Sequence, residues 1–396
     1  MSPSIRLAHM KALIIGGGIA GPVTATALRR AGIDAVVYEA HPSAAYEVGA
    51  GLTVAPNGQN ALGIIGADEA VRALGQPVPG SIFCTAGGYR LADFRGLPGL
   101  PASVVLPRAD LFRALAEHAL AMGVPIEYGK RLVAVDERPD GITARFDDGS
   151  SAEGDVLIGA DGIRSTVRTL IDEAAPGPQY GGILSFGAPS PAAGIDVEPG
   201  SMYFAFGSGF LGYWLLPDGE RIMWFGSLPH PEPLTSAEAR AVAPEVWLER
   251  LAELYGQDQP AATLIATAKP EDLFVTGPME MMPPLPYWHR GRMVLVGDSA
   301  HAPSTSSGQG ASQAIESSVE LARCLRDLPD HEQAFAAYER LRRPRVEAIA
   351  AAAAGTNKKK AGDSAGPPAF PTEEQMFGSV HRHVIEWDVS ATSLIS

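Results

Sequence analysis

The chain is punctuated by short apolar runs that stop on a glycine or an acid. KALIIG (Lys11–Gly16), DAVVYE (Asp34–Glu39), GDVLIGA (Gly154–Ala160) and GRMVLVGD (Gly291–Asp298) are the strongest of these. Runs of this length without polar alternation predict strands buried on both faces, as in a parallel sheet covered by helices. Ile19–Ala31, between the first two, predicts a crossover helix, so the chain opens with a βαβ unit. A helix is expected from about Asn57 in PNGQNALGII and another over ADLFRALAEHALAMG. SIFCT, YRLADF and SVVLPR read as short strands, and LVAVDE, ITARFDD and GDVLIGA as a small meander returning to the main sheet.

From about Pro176 to Pro286 the pattern changes. GSMYFAFGSGFLGYWLLPDGERIMWFGSL is aromatic, alternates like strands and carries an Asp218-Gly219 turn, which predicts an antiparallel sheet. The buried-strand pattern resumes at GRMVLVGD, followed by helices over Gly310–Leu328 and Glu332–Ala354. The fold class is therefore α/β: a Rossmann-like domain with a mostly parallel sheet, interrupted by a second domain built on an antiparallel sheet. The first domain takes residues 10–75, 100–175 and 286–354, and the second takes 76–99 and 176–285. Residues 355–396 are expected to be a surface linker, GTNKKKAGDSAGPP, and a short helix near Glu373–Val384.

Composition narrows the function classes. A formal charge of −14, with Lys358–Lys360 the one lysine run, argues against nucleic acid or an anionic membrane as partner. The uncharged stretch Ala12–Leu28 mimics an anchor, but it holds three consecutive glycines and Pro22 and falls short of the roughly 20 residues a span needs. Residues 1–9 have no apolar core, so no secretion signal is read there, and Met10 is an alternative start. Cys84 and Cys324 form no metal spacing or disulfide framework and fit buried thiols in a reducing cytoplasm. The nine histidines, among them His381 and His383, form no metal-ligand set with carboxylates or cysteines, so no metal is expected. No nucleophile elbow and no Ser/His/Asp constellation is present. His301 invites an acid–base role, although a loop histidine bonded to backbone is the plainer reading.

Three segments carry candidate chemistry. Gly16-x-Gly18-x-x-Gly21, with Ile19 and Ala20 inside it, follows a strand and opens a helix. Glycines there allow a tight turn and close approach of a pyrophosphate, and Glu39 stands where a carboxylate accepts the hydroxyls of an adenosine ribose. This element alone does not separate FAD from NAD. GADGIRSTVR (Gly159–Arg168) is a second acid corner, with Asp161 and Gly162 before Arg164 and Arg168; a β-turn ahead of a capped helix is the alternative. In GDSAHAPSTSSGQGASQAIE, Asp298 ends a strand, and Gly308, Gln309, Gly310 and Ala311 open a helix with free N–H groups and a positive dipole end.

Together and in this order, the three segments resemble the FAD-dependent aromatic hydroxylases of the p-hydroxybenzoate hydroxylase type, over about residues 10–350. The resemblance implies that Asp298 holds the ribityl chain of FAD and that the Gly308–Gly310 helix end, contributing up to ~2 kcal/mol, keeps a reduced flavin anionic. It implies that Arg108, in LPRADLF, reaches the phosphate–ribityl region. It implies too that Val48–Asn57, with Gly51, lies beside the isoalloxazine ring and that Asp161 serves both FAD and a transient nicotinamide. Three positions depart from the family pattern: Thr305 stands for Pro, Ser317 for Asp and Ser299 for Ala.

The implied activity is a single-component monooxygenase. NADPH or NADH reduces FAD, O2 adds at flavin C4a, and the hydroperoxide passes one oxygen to an aromatic or polycyclic small molecule. The flavin carries the chemistry, so no protein acid or base is assigned. Phe204, Phe206, Tyr213, Trp214 and Trp224 are the candidate substrate-lining residues, with Tyr213 as a substrate orienter and Met281 and Met282 as a pliable rim. Core packing is the alternative for each aromatic. A dehydrogenase or double-bond reductase on the same frame, or a flavin-binding protein without catalysis, are the competing functions. Substrate identity, the choice of nicotinamide and the oligomeric state are not written in the sequence.

Overall fold

The computed structural model describes residues 10–43, 51–360 and 370–394; Val48–Ala50 of the expected ring-side loop lies outside the described residues. A six-stranded sheet forms the first layer, in the order His289–Arg290, Met293–Leu295, Val156–Gly159, Lys11–Ile15, Asp34–Glu39, Ile126–Tyr128. Its strands pair in parallel, except the edge strand His289–Arg290. Leu13 stands between Val36 and Leu157 in register, and the central residues Leu13, Ile14, Leu157, Ile158 and Val294 are fully buried. Both faces are covered, which is why these runs show no polar alternation. The helix Ala20–Arg30 packs against Gly310–Asp327, joined where Ser318 Oγ donates to the Ala20 carbonyl at 3.2 Å. Leu132–Arg138 and Gly141–Phe146 form a meander as expected, but its third strand is Ser151–Gly154, and Val156–Gly159 of GDVLIGA joins the main parallel sheet instead.

The second large sheet has seven strands, in the order Phe274–Met281, Gln179–Pro191, Arg221–Pro229, Phe210–Leu215, Ser201–Phe206, Gly80–Thr85, Arg90–Phe94. It is antiparallel apart from one pair: Ser201–Phe206 runs parallel to Gly80–Thr85, because the latter is supplied by a distant part of the chain. The helices Ser236–Ala241, Pro244–Tyr255 and Ala261–Thr267 cover one face, where Trp247, Leu251, Tyr255 and Leu264 form a core with Phe186 and Trp224. Gly51–Val54, Ser103–Pro107 and Gln76–Val78 form a smaller antiparallel sheet.

One C-terminal expectation changes. The helix His331–Lys360 continues through Gly355 to Lys360 and tolerates Pro344, so residues 355–360 are helical and not linker. The expected short helix is present as a π-helical turn, Glu374–Gly378, running into an α-helical turn, Ser379–His381. No helix among the described residues is long and apolar enough to cross a membrane.

Candidate active site

The first strand ends at Gly16, whose φ of +109° favours glycine. A Cβ on Gly16 would stand 2.4 Å from the Ala160 oxygen, and one on Gly21 only 1.9 Å from the Gly16 oxygen. Those two glycines serve packing between strand, turn and helix. Gly18 differs: a Cβ there meets nothing nearer than the Phe112 ring at 3.9 Å, so bare backbone faces open space. Across the turn, Glu39 Oε2 accepts the Gly17 N–H at 2.6 Å and Oε1 accepts the His41 N–H at 2.8 Å. A cleft of about 400 Å³ opens here, lined by Gly16, Gly18, Ile19, Ala20, Glu39 and Arg108. Asp161, Gly162, Asp298, Gly310 and Ala311 line it as well. Gly21 lies behind this surface.

Asp161 sits at the end of Val156–Gly159 and is spoken for by the chain. Its Oδ1 accepts Ser165 Oγ at 2.5 Å, and Oδ2 accepts the Thr166 and Val167 N–H groups at 2.7 and 3.1 Å. Ser165 in turn caps the helix Thr166–Ile171 by accepting the Arg168 N–H at 2.9 Å. Both readings of this corner therefore coexist: the acid caps a helix and also lines the cleft. Burial raises its pKa, and the Ser165 and backbone bonds oppose that rise. Arg168 is buried and donates to the carbonyls of Ser299 at 3.1 Å and Ile163 at 2.8 Å, locking the second corner to the third. Arg164 points outward and grips Glu280 of the second sheet through two 2.8 Å contacts.

Asp298 follows Gly297, which has a φ of +66°, and is half-buried at the edge of the cleft. Burial raises its pKa, and Arg108 pulls it back. Arg108 lies over the Phe112 ring at 4.9 Å and has no carboxylate within 4 Å among the described residues, leaving its charge for a ligand. The Ser299 hydroxyl lies 2.6 Å from the Gly159 oxygen, so this departure from the family pattern ties the Asp298 turn to the neighbouring strand. Gly308 has a φ of +60°, and a Cβ on Gly308 or Gly310 meets nothing within 4 Å. No side chain caps the helix Gly310–Asp327, so its first N–H groups face the opening unscreened. An anionic or flat polar group fits this cradle, and the glycines let it reach the backbone.

Behind the helix start lies a polar network that sequence reasoning missed. Asn57 Nδ2 donates to Gln309 Oε1 at 2.9 Å and to Glu316 Oε1 at 2.6 Å. Arg342 donates to Gln313 at 2.6 Å, and its Nε lies 3.2 Å from Ser317 Oγ, which also meets His301 Nε2 at 2.8 Å. Ser317 thus takes part in holding His301, whose ring packs on Trp288 at 5.2 Å. His301 faces this network and does not line the cleft. The polar run in SQAIESS, inside an otherwise buried helix, is the signal that could have pointed to it.

A second cavity of about 2030 Å³ opens from the same spot, sharing Ile19, Arg108, Gly162, Asp298, Gly310 and Ala311 with the cleft. Gly51, Gly308, Gln309 and Thr305 line this larger space. So do Phe204, Phe206 and Trp214 from the second sheet. Tyr213 and Trp224 do not. Side chains alternate along a strand, and the register Tyr203–Tyr213–Trp224 puts these three on the helix-covered face. Tyr213 stacks on Tyr203 at 4.9 Å, and Trp224 donates to Ser190 Oγ at 2.9 Å within the core. Phe225, Phe83 and Phe210 take their place in the wall. Met282 is buried in the first domain's core, and Met279 lines the cavity in place of the expected Met281–Met282 rim. Cys84 and Cys324 are both buried free thiols.

The profile of the family described as "FAD binding domain" matches residues 9–241 and 282–353. The chain is 32% identical over 336 residues to aurachin C monooxygenase/isomerase of Stigmatella aurantiaca, covering 83% of this chain and 84% of that protein. It is 31% identical over 348 residues to the FAD-dependent urate hydroxylase of Klebsiella pneumoniae, covering 85% and 87%. The crystal structure of Klebsiella pneumoniae HpxO with FAD and uric acid superposes with a TM-score of 0.76 at 26% identity, over 98% of this chain and 95% of that one. With glycine turn, acid corners and bare helix start converging on one cleft, the chain belongs to the FAD-dependent monooxygenases of the group A flavoprotein hydroxylase family.

Proposed function

We propose that this protein is a single-component, NAD(P)H-driven monooxygenase that places one oxygen atom from O2 on an aromatic, multi-ring small molecule. The observation that carries the reading is the continuity of the nucleotide cleft with a far larger, aromatic-walled cavity at Arg108, Asp298 and Gly310. FAD held there would supply the redox chemistry that links a nicotinamide to O2.

The chain's own residues bind, orient and shield. Gly16, Gly18, Ile19 and Ala20 hold the pyrophosphate at the helix start, and Glu39 accepts the ribose hydroxyls. Arg108 and Asp298 flank the junction of the two cavities, where one neutralises phosphate and the other accepts a hydroxyl. Asp161 holds the Gly162 turn beside them. Gln309, Gly310 and Ala311, with Gly51 and Gly308, frame the ring-binding end, where the helix dipole favours negative charge. Phe204, Phe206 and Trp214 bury the substrate and keep water away from it.

A purified sample decides between this and its rivals. Flavin absorbance bands, with NADPH or NADH oxidation accelerated by one aromatic compound and coupled to its hydroxylation, support the monooxygenase. Acceleration that survives removal of O2 supports a reductase. Flavin bands with no compound-stimulated oxidation point to a binding protein. A colourless protein that FAD does not reconstitute overturns the reading.

A further inference from the structure

One wall of the large cavity comes from outside the family-matched residues. The segment 370–381 follows the long C-terminal helix, beyond the match that ends at residue 353. Phe370 lies 5.0 Å from Phe83, and Phe377 meets Phe94 edge-on at 6.0 Å, so the segment is fastened to the edge of the second sheet. Its backbone is pinned as well. Arg345 donates to the carbonyls of Ser379 at 3.0 Å and Val380 at 2.8 Å, and Glu373 accepts the Gly96 N–H at 2.9 Å. Arg345 also binds Glu316, so this wall and the helix start at Gly310 are held by one network.

His381 lines the cavity from this wall, its ring flat on Phe377 at 5.0 Å and 8°. Among the described residues neither ring nitrogen has a hydrogen-bond partner. Burial pushes its pKa down to about 4, so at neutral pH one nitrogen donates and the other accepts. Of the other charged groups on this surface, Arg108 and Asp298 lie at the junction with the nucleotide cleft, where the cofactor would take them. Arg95 is bound by Asp93 and Glu198, Glu280 by Arg164, and Arg240 is exposed to solvent. Burying a carboxylate among these aromatics without a cation is costly, whereas a neutral hydroxyl needs a single partner. The volume exceeds the roughly 300–1,000 Å³ of ordinary ligand sites, leaving room for several rings beside the cofactor.

We propose that His381 reads the substrate: it exchanges a hydrogen bond with a ring hydroxyl of an uncharged, multi-ring aromatic compound packed against Phe370 and Phe377. This rests on the monooxygenase reading for the reaction but not for the binding, and the two fail separately.

The test uses the FAD-loaded full chain and isothermal titration calorimetry with a matched pair, 2-naphthol and its methyl ether, 2-methoxynaphthalene. The wild type is expected to prefer 2-naphthol by about tenfold, the worth of one good hydrogen bond. His381→Phe reduces that preference to within twofold while leaving the affinity for the ether in place; His381→Leu serves as a second truncation if the first does not fold. A wild type that binds neither compound or shows no preference overturns the proposal, as does a truncation that keeps the full preference. Flavin absorbance and NAD(P)H oxidation, followed in parallel, report on the monooxygenase reading alone.

Discussion

Glu316 Oε2 accepts a 2.5 Å bond from Arg342 Nη1, with the two side chains 1% and 2% exposed. Arg345 adds contacts at 2.8 and 2.9 Å, so one carboxylate answers two guanidiniums. Burial alone would raise the Glu316 pKa; Arg342 and then Arg345 outweigh it and bring it down to about 2. The carboxylate lies two turns into the helix whose bare start faces the cleft. It therefore fixes that helix against the long C-terminal one.

Removing this carboxylate leaves buried positive charge without an answer. Glu316→Ala is expected to cost roughly 3–5 kcal/mol in urea or thermal unfolding, as breaking one side of a buried pair does. A loss below about 1 kcal/mol would mean that the pair does not hold the helices together.

Acid should loosen the protein well before carboxylates titrate. Burial pushes His301 down to about 3, and His381 and His383 each to about 4. A group whose folded pKa is depressed contributes stability that is complete above its unfolded value, here about 6.5, and lost as pH falls through the folded one. The melting temperature is expected to fall steadily from pH 6.5 to 4.5, and less steeply in His301→Asn. A flat profile over that range would contradict the buried neutral state of these rings.

Two glycine substitutions separate site from scaffold. Gly310→Val projects into open space, so the apo protein keeps its stability to within about 0.5 kcal/mol while FAD retention drops at least about tenfold. Gly21→Ala meets the Gly16 oxygen and destabilises the fold itself. Denaturation curves beside flavin absorbance of the purified variants distinguish them. Full FAD retention in Gly310→Val would remove the helix start from the site.

The two neighbours Tyr213 and Trp214 predict opposite outcomes. Trp214→Ala strips the cavity wall and is expected to raise KM for an aromatic substrate about tenfold. Tyr213→Phe, on the covered face, leaves KM unchanged. Steady-state kinetics on both variants test the assignment of faces, and the reverse pattern would refute it.

The glycine turn, both acid corners and the buried strands were legible because each is a local rule: a run of apolar residues, a spacing, a chain direction. The wall of the cavity was harder. Tyr213 and Trp214 are adjacent and equally aromatic, and only strand register decides which faces the helices and which the cavity. The network joins Glu316 to Asn57, 259 positions away, and to Arg342 and Arg345 on another helix, 26 and 29 positions on, so no local spacing announces it. The long helix outran its expected end because Gly355 alone, at about 1 kcal/mol, does not stop a helix already under way.

The most direct measurement is the origin of the oxygen. The FAD-loaded protein turns over an accelerating aromatic compound with NADPH or NADH under 18O2, and the product is weighed by mass spectrometry. Incorporation of one 18O atom per product molecule is the predicted result. A product that carries no label, or forms equally without O2, would contradict the monooxygenase account.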